Sequence, residues 1–165
     1  MDNTKHFDVE YDVTPIGQFN TQTCWIACYR MLYAWNKVKD KTCTDIKCYE
    51  RLQKTGLNLT SQLLITEWRR PAAALKLFGY RVSSLRNFDT FQYIMSKCGP
   101  FWCAGDFIAG GGGHVILVTA AYGEDQRIRI IDPWQVHQGT TSELRDFSYW
   151  TKNIKNAPYA VQMWW

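Results

Sequence analysis

The sequence predicts an α+β domain, with helices in the first half of the chain and antiparallel strands in the second. Apolar residues recur at helical spacing up to about residue 97, whereas runs rich in Val and Ile follow Gly99 and Pro100. This order of elements is typical of α+β proteins. The 165 residues, 46% hydrophobic and 15% aromatic, are sufficient for a single domain with a packed core.

Composition excludes several classes of protein. The 19 basic and 15 acidic residues give a net charge of +4, and the basic residues are scattered along the chain, which argues against nucleic-acid binding. No apolar run approaches the ~20 residues that span a bilayer, so membrane insertion is not expected. The N-terminal residues also lack the apolar core of a secretory signal.

The N-terminal half is expected to contain a central helix and several shorter ones. Residues 1–17 are interpreted as a polar, irregular N-terminal segment, and residues 18–165 as the single domain. Thr23 is a candidate N-cap for a core helix over residues 24–36. Shorter helices are predicted over residues 45–54, 60–68 and 72–78, and after Asn87 as far as Lys97.

The C-terminal half is expected to be a sheet. Residues 101–104 form an apolar run, residues 114–122 and 127–131 have the pattern of an antiparallel hairpin, and residues 159–165 are predicted to form another strand. The four glycines at 110–113 do not form a phosphate loop, because no Gly-Lys-Ser or Gly-Lys-Thr follows them.

The six cysteines are interpreted mainly as buried thiols. An even number would suit disulfides in a secreted protein, but no secretory signal is present, and no histidine lies near the two closely spaced pairs to complete a zinc site. The cysteines are Cys24, Cys28, Cys43, Cys48, Cys98 and Cys103.

Cys24 is the candidate nucleophile because it lies where the core helix is predicted to begin. The positive end of a helix and a neighbouring imidazolium both stabilise a thiolate. The Cys24 N–H has no partner within its helix and could donate to an oxyanion, as could the side-chain amide of Gln18. Cys28 is expected to point into the core. Trp102 and Trp134 could line a cleft, although tryptophans are more often in the core.

His114 and Asp132 supply the other two candidate groups. His114 begins the first strand of the predicted hairpin, and Asp132 follows the second. A turn centred on Gly123 makes them cross-strand neighbours, ~5 Å apart at Cβ if they share a face. A carboxylate there would orient the imidazole and stabilise its charged form.

Three motifs occur in the order of a known family. Residues 18–25, residues 113–118 and the sequence Ile-Asp-Pro-Trp at 131–134 resemble the bacterial papain-like peptidases of the avirulence-effector type and the related double-glycine leader peptidases. The resemblance implies a papain-like fold, with the nucleophile helix packed on a C-terminal antiparallel sheet. It also implies a triad of Cys24, His114 and Asp132 with Gln18 as oxyanion donor, Gln22 being a weaker alternative.

The resemblance further implies a small effector or toxin domain, delivered into the reducing cytosol of a target cell without a signal peptide. Its partners would be a protein or peptide substrate and, where one exists, a cognate inhibitor or immunity protein. It requires no metal or organic cofactor. An amidase acting on peptidoglycan, a deamidase, an acyl transferase and a non-catalytic binding module of the same fold remain alternatives.

Overall fold

The computed structural model describes residues 7–108 and 113–164. His6, the glycines at 110–112 and Trp165 lie outside the described residues. In chain order the α-helices and strands of the described residues are β1 (Asp8–Glu10), α1 (Cys24–Trp35), α2 (Asp45–Gln53), α3 (Arg69–Leu75), β2 (Phe78–Tyr80), α4 (Phe88–Cys98), β3 (Phe101–Gly105), β4 (His114–Tyr122), β5 (Arg127–Ile131), α5 (Pro133–His137), β6 (Glu143–Asp146), α6 (Phe147–Asn153) and β7 (Val161–Met163).

The seven strands form one antiparallel sheet, which confirms the predicted α+β class. Its order is β2-β7-β3-β4-β5-β6, and β1 pairs separately with β4. β4 is the central strand because it pairs with β1, β3 and β5. All but the last of its nine residues are buried, which agrees with their nearly continuous apolar sequence.

Side chains from β3 alternate between the two faces of the sheet and contact different helices. Trp102 faces α1, where its indole N–H donates to the Trp25 carbonyl at 3.2 Å and its ring stacks on Tyr29. The adjacent Phe101 faces the opposite side and packs edge-on against Phe91 of α4, which also contacts Trp150 of α6. The sheet is therefore covered on both faces, by α1 on the side of Trp102 and by α4 and α6 on the side of Phe101.

The core helix α1 is almost entirely buried, as predicted. Nine of its twelve residues are buried, and it contacts both β3 and β4. The shorter α2 begins with Thr44, whose hydroxyl accepts a hydrogen bond from the Lys47 N–H, as expected for an N-cap. Asn87 caps α4 in the same way, so these two helices begin where their sequences indicate.

The predicted helix over residues 60–68 is wrong, and the helix predicted over residues 72–78 exists but has different bounds. The first is reduced to a single 3₁₀ turn at Ile65–Glu67, and α3 begins at Arg69 with Pro71 inside its first turn. A proline there costs no hydrogen bond, because the first N–H groups of a helix have no acceptor within it. The helix ends at Leu75 because Lys76 adopts the left-handed conformation, well before Gly79.

The N-terminal segment is not irregular throughout. Asp8–Glu10 form β1, which pairs with the end of β4, and Val9 and Val13 are buried in the core. The alternation of one apolar residue with acidic neighbours is too short to be recognised as a strand, so its partner strand determines the conformation. The tail strand is shorter than predicted, and β7 covers Val161–Met163.

Among the described residues, no helix combines the length and the apolar character needed to span a membrane.

Candidate functional site

A cavity of ≈ 700 Å³ lies beside the beginning of β4 and the end of β5. Gln18, His114 and Asp132, three of the four predicted site residues, line it. Cys24 is 8% exposed and is not among the lining residues that the structure describes. The site therefore presents the imidazole and the carboxylate to the cavity, with the thiol largely covered.

His114 and Asp132 are directly hydrogen-bonded. His114 Nε2 lies 2.7 Å from Asp132 Oδ1, and the imidazole is only 3% exposed. The same carboxylate oxygen accepts a hydrogen bond from the Trp134 N–H at 3.0 Å, because Asp132 is the N-cap of α5. Pro133 occupies the first position of that helix, where proline is favoured. The helix start thus fixes the carboxylate in front of the imidazole.

The two residues meet although the predicted register is wrong. The turn is centred beyond Gly123, since Tyr122 faces Arg127, and Leu117 faces Ile131. Continued by one residue, this pairing sets Asp132 opposite Ile116, two residues from His114. Side chains two residues apart on a strand share a face, and long polar groups can reach such a diagonal neighbour. The contact is therefore diagonal, whereas a directly opposed pair was expected.

The charge of His114 is stabilised by its neighbours. Burial lowers the pKa of this imidazole, but the hydrogen bonds to Asp132 and Cys24, together with the negative charge that each can carry, outweigh burial and raise the pKa from 6.5 to about 9. Asp106, Glu143 and Arg145 line the same cavity. Since the imidazole interacts with Cys24 as well as with Asp132, it connects the helix α1 to the sheet.

Cys24 begins α1, as predicted, but Thr23 does not cap that helix with its side chain. The Thr23 hydroxyl instead exchanges hydrogen bonds with the backbone of Asn20, accepting from its N–H and donating to its carbonyl. The first N–H groups of α1, including that of Cys24, therefore receive no hydroxyl oxygen from Thr23. Free N–H groups at a helix start favour a negative charge such as a thiolate or an oxyanion.

Gln18 is held close to both halves of the site. Its backbone N–H donates to the Pro133 carbonyl at 3.2 Å, next to Asp132, and its side chain is buried. One N–H of the side-chain amide donates to the Asn20 carbonyl at 2.7 Å, which leaves the second N–H available. Gln22, the weaker alternative, is exposed, and its backbone N–H bonds to Asn20 Oδ1.

The other five cysteines are buried, each at 3% exposure or less. All six cysteines are free and buried, which confirms the interpretation as thiols. Burial is the main cause that raises the pKa of Cys28 and Cys98, and it raises the pKa of Cys103 to about 12. Thiols in such surroundings stay protonated and unreactive at neutral pH.

Sequence reasoning missed Asn20 as an organising residue. Its carbonyl accepts hydrogen bonds from Gln18 and Thr23, and its side-chain amide donates to the Thr60 carbonyl at 3.0 Å. Asparagine followed by polar residues before a helix is a known turn signal that could have indicated this role. Of the two tryptophans considered for a cleft, Trp134 lines the cavity whereas Trp102 is fully buried.

Comparison with known proteins gives one family match. A family model described as papain-like cysteine protease AvrRpt2 matches residues 3–151, most of the chain, and this span includes all four candidate site residues. A search of curated proteins finds no match.

The protonation of His114 is directly measurable. We expect NMR titration of its imidazole to give a midpoint near pH 9, since the charged form persists below the raised pKa. Asp132→Asn should lower that midpoint, because it removes a raising partner and leaves burial in place. Glu143→Gln, which neutralises another carboxylate of the cavity, should leave it unchanged. A wild-type midpoint at or below 6.5 would contradict this electrostatic description.

Proposed function

The chain belongs to the AvrRpt2 family of papain-like cysteine proteases, and from this premise we propose that it hydrolyses peptide bonds through a triad of Cys24, His114 and Asp132. The observation that carries the proposal is the hydrogen bond between His114 and Asp132, because it gives a buried imidazole both an orientation and a stabilised charge. The contact of the same imidazole with Cys24 completes the set.

Before the reaction, the thiol proton of Cys24 lies on His114, so that a thiolate faces an imidazolium. In the first half, the thiolate sulfur bonds to the carbonyl carbon of the substrate. The tetrahedral intermediate then collapses as the C–N bond breaks. The leaving amine takes the proton from the His114 imidazolium, and a thioester remains on Cys24. Asp132 holds the imidazole in one orientation and stabilises its charged form throughout.

In the second half, a water molecule gives a proton to His114 and attacks the thioester carbonyl. The C–S bond breaks, the carboxylic product leaves, and the proton returns to the sulfur. In both halves the negative charge on the carbonyl oxygen is stabilised by the Cys24 N–H and by the second amide N–H of Gln18. The bond from Gln18 to the Asn20 carbonyl fixes which way that amide points.

The cavity suits a polypeptide substrate. Phe107, Trp134 and Tyr149 supply aromatic walls, and the Phe107 and Tyr149 rings lie 5.6 Å apart. Charged lining residues are paired, since Glu143 binds Arg145, and Asp106 binds Lys155 at 3.2 Å. Neutralised charges and apolar walls favour an uncharged stretch of chain over a strongly charged ligand.

We also propose that the protein is an effector that acts in a reducing compartment after delivery into a target cell. Support comes from the family and from the six free, buried cysteines, which would not need an oxidising environment for folding. A polypeptide of that compartment would then be its substrate.

Peptide-bond hydrolysis is tested by comparing protein termini. Target cells exposed to the wild-type protein should contain new N-termini that are absent from cells exposed to Cys24→Ala, because only the wild-type protein can form the thioester. Equal sets of termini for two folded, equally delivered proteins would contradict the proposal. Peptidoglycan fragments or deamidated glutamines without new protein termini would instead favour an amidase or a deamidase with the same triad.

The choice between Gln18 and Gln22 as oxyanion donor is tested with a matched pair. Gln18→Ala should lower kcat by ~10²-fold, the usual effect of losing one such donor, whereas Gln22→Ala should stay close to wild type because its side chain is exposed. Steady-state kinetics on a peptide containing an identified cleavage site gives both values. The reverse order of effects would reassign the donor.

A further inference from the structure

The pairing of β4 with β5 changes register once, at Thr119. On the turn side, Ala120 faces Arg129, and on the site side, Val118 faces Ile130, so Thr119 is an extra residue in β4. An extra residue of this kind is a β-bulge, and such bulges are common beside active sites. The pairing of β4 with β3 shows no such change between Phe101 and Gly105.

The bulge determines the face of the sheet on which Asp132 lies. With Thr119 paired regularly, the register of Ala120 with Arg129 would continue unchanged and would set Asp132 opposite Leu117. Leu117 is an odd number of residues from His114, so its side chain lies on the opposite face. With the bulge, Asp132 is opposite Ile116, which shares the face of His114. A change of one residue in register therefore decides whether the carboxylate and the imidazole can meet.

Two hydrogen bonds hold Thr119 in the bulge. Its carbonyl accepts from the Tyr11 N–H at 3.0 Å, which extends the pairing of β1 with β4 by one residue. Its hydroxyl donates to the Arg129 carbonyl of β5 across a long distance of 3.5 Å. Thr119 is 3% exposed, so water does not readily replace these partners. The bulge is thus secured from both neighbouring strands.

We propose that Thr119 is a positioning residue for the triad, and that the bulge it forms, secured by Tyr11, places Asp132 on the face of the sheet that carries His114. The proposal rests on the proposed function for its catalytic consequence. Its structural part, the alignment of the carboxylate with the imidazole, is independent of any activity. The N-terminal segment thereby gains a role in the site, because β1 and Tyr11 support the bulge from outside the triad.

The test compares Thr119→Val, which keeps the shape and loses the hydroxyl, with Thr119→Ser, which keeps the hydroxyl. Loss of the hydroxyl bond should weaken the bulged register, so Thr119→Val should lower kcat roughly 3- to 10-fold with little change in KM. It should also move the NMR titration midpoint of His114 to lower pH. Thr119→Ser should match wild type in both measurements.

A double-mutant comparison shows whether the effect passes through Asp132. In an Asp132→Asn background, Thr119→Val should change neither kcat nor the His114 midpoint further, because the carboxylate is already absent. Effects that persist at full size in that background would overturn the proposal. So would an unchanged His114 midpoint in a folded Thr119→Val protein.

The backbone bond from Tyr11 gives a second, independent route. Tyr11→Ala removes the side chain, including its hydroxyl bond to the Met95 carbonyl. Tyr11→Pro also removes the backbone N–H that donates to the Thr119 carbonyl. The titration midpoint of His114 should be lower in Tyr11→Pro than in Tyr11→Ala, and equal midpoints would overturn the proposal. If the midpoints shift as expected but no variant or wild-type protein cleaves peptides, the bulge stands and the peptidase function fails.

Discussion

The hydrogen bond between His114 and Asp132 is the interaction on which the rest of the site depends. The imidazole is buried, and an imidazolium without a partner would be unstable there. The hydrogen bond to Asp132, together with the interaction with Cys24, outweighs the cost of burial and raises the pKa of His114 to about 9. Asp132 directly follows β5 and caps α5. Its Oδ1 accepts the Trp134 N–H at the start of that helix and also orients the imidazole of His114. Cys24 is reactive only insofar as that imidazole is available to it.

Two parts of the chain must converge for this arrangement to exist. His114 begins β4 and Asp132 directly follows β5, whereas Gln18 lies in the loop before α1 and Cys24 is the first residue of that helix. The Gln18 N–H bonds to the Pro133 carbonyl, and Gly17 lies so close to His137 that an added Cβ would be 3.3 Å from its backbone N. These contacts join the start of the core helix to α5, so the position of the thiol and that of the carboxylate depend on one another. A change in either element would be felt at the imidazole.

Much of this could be predicted from the sequence, and the failures have physical causes. The helix at Cys24, the hairpin and the N-caps at Thr44 and Asn87 follow from local signals. The register does not, because a bulge at Thr119 depends on the neighbouring strands. β1 was missed for the same reason, since three residues acquire their conformation from β4. Asp132 followed by Pro133 is a helix-start signal, although α5 is not among the predicted helices. The contact between His114 and Asp132 was expected from a mistaken register. It forms nonetheless, because the two residues lie on the same face of the sheet in the observed register as well.

Activation of one thiol of the six by one imidazole is what the proposed triad requires. Its most direct measurement is alkylation of the folded protein by substoichiometric iodoacetamide at neutral pH, with the modified cysteine located by mass spectrometry. We expect a single adduct on Cys24 whose rate of formation falls sharply in His114→Ala, while the other five cysteines stay unmodified until the protein unfolds. Equal, slow labelling of several cysteines, or labelling of Cys24 at the same rate without His114, would contradict it.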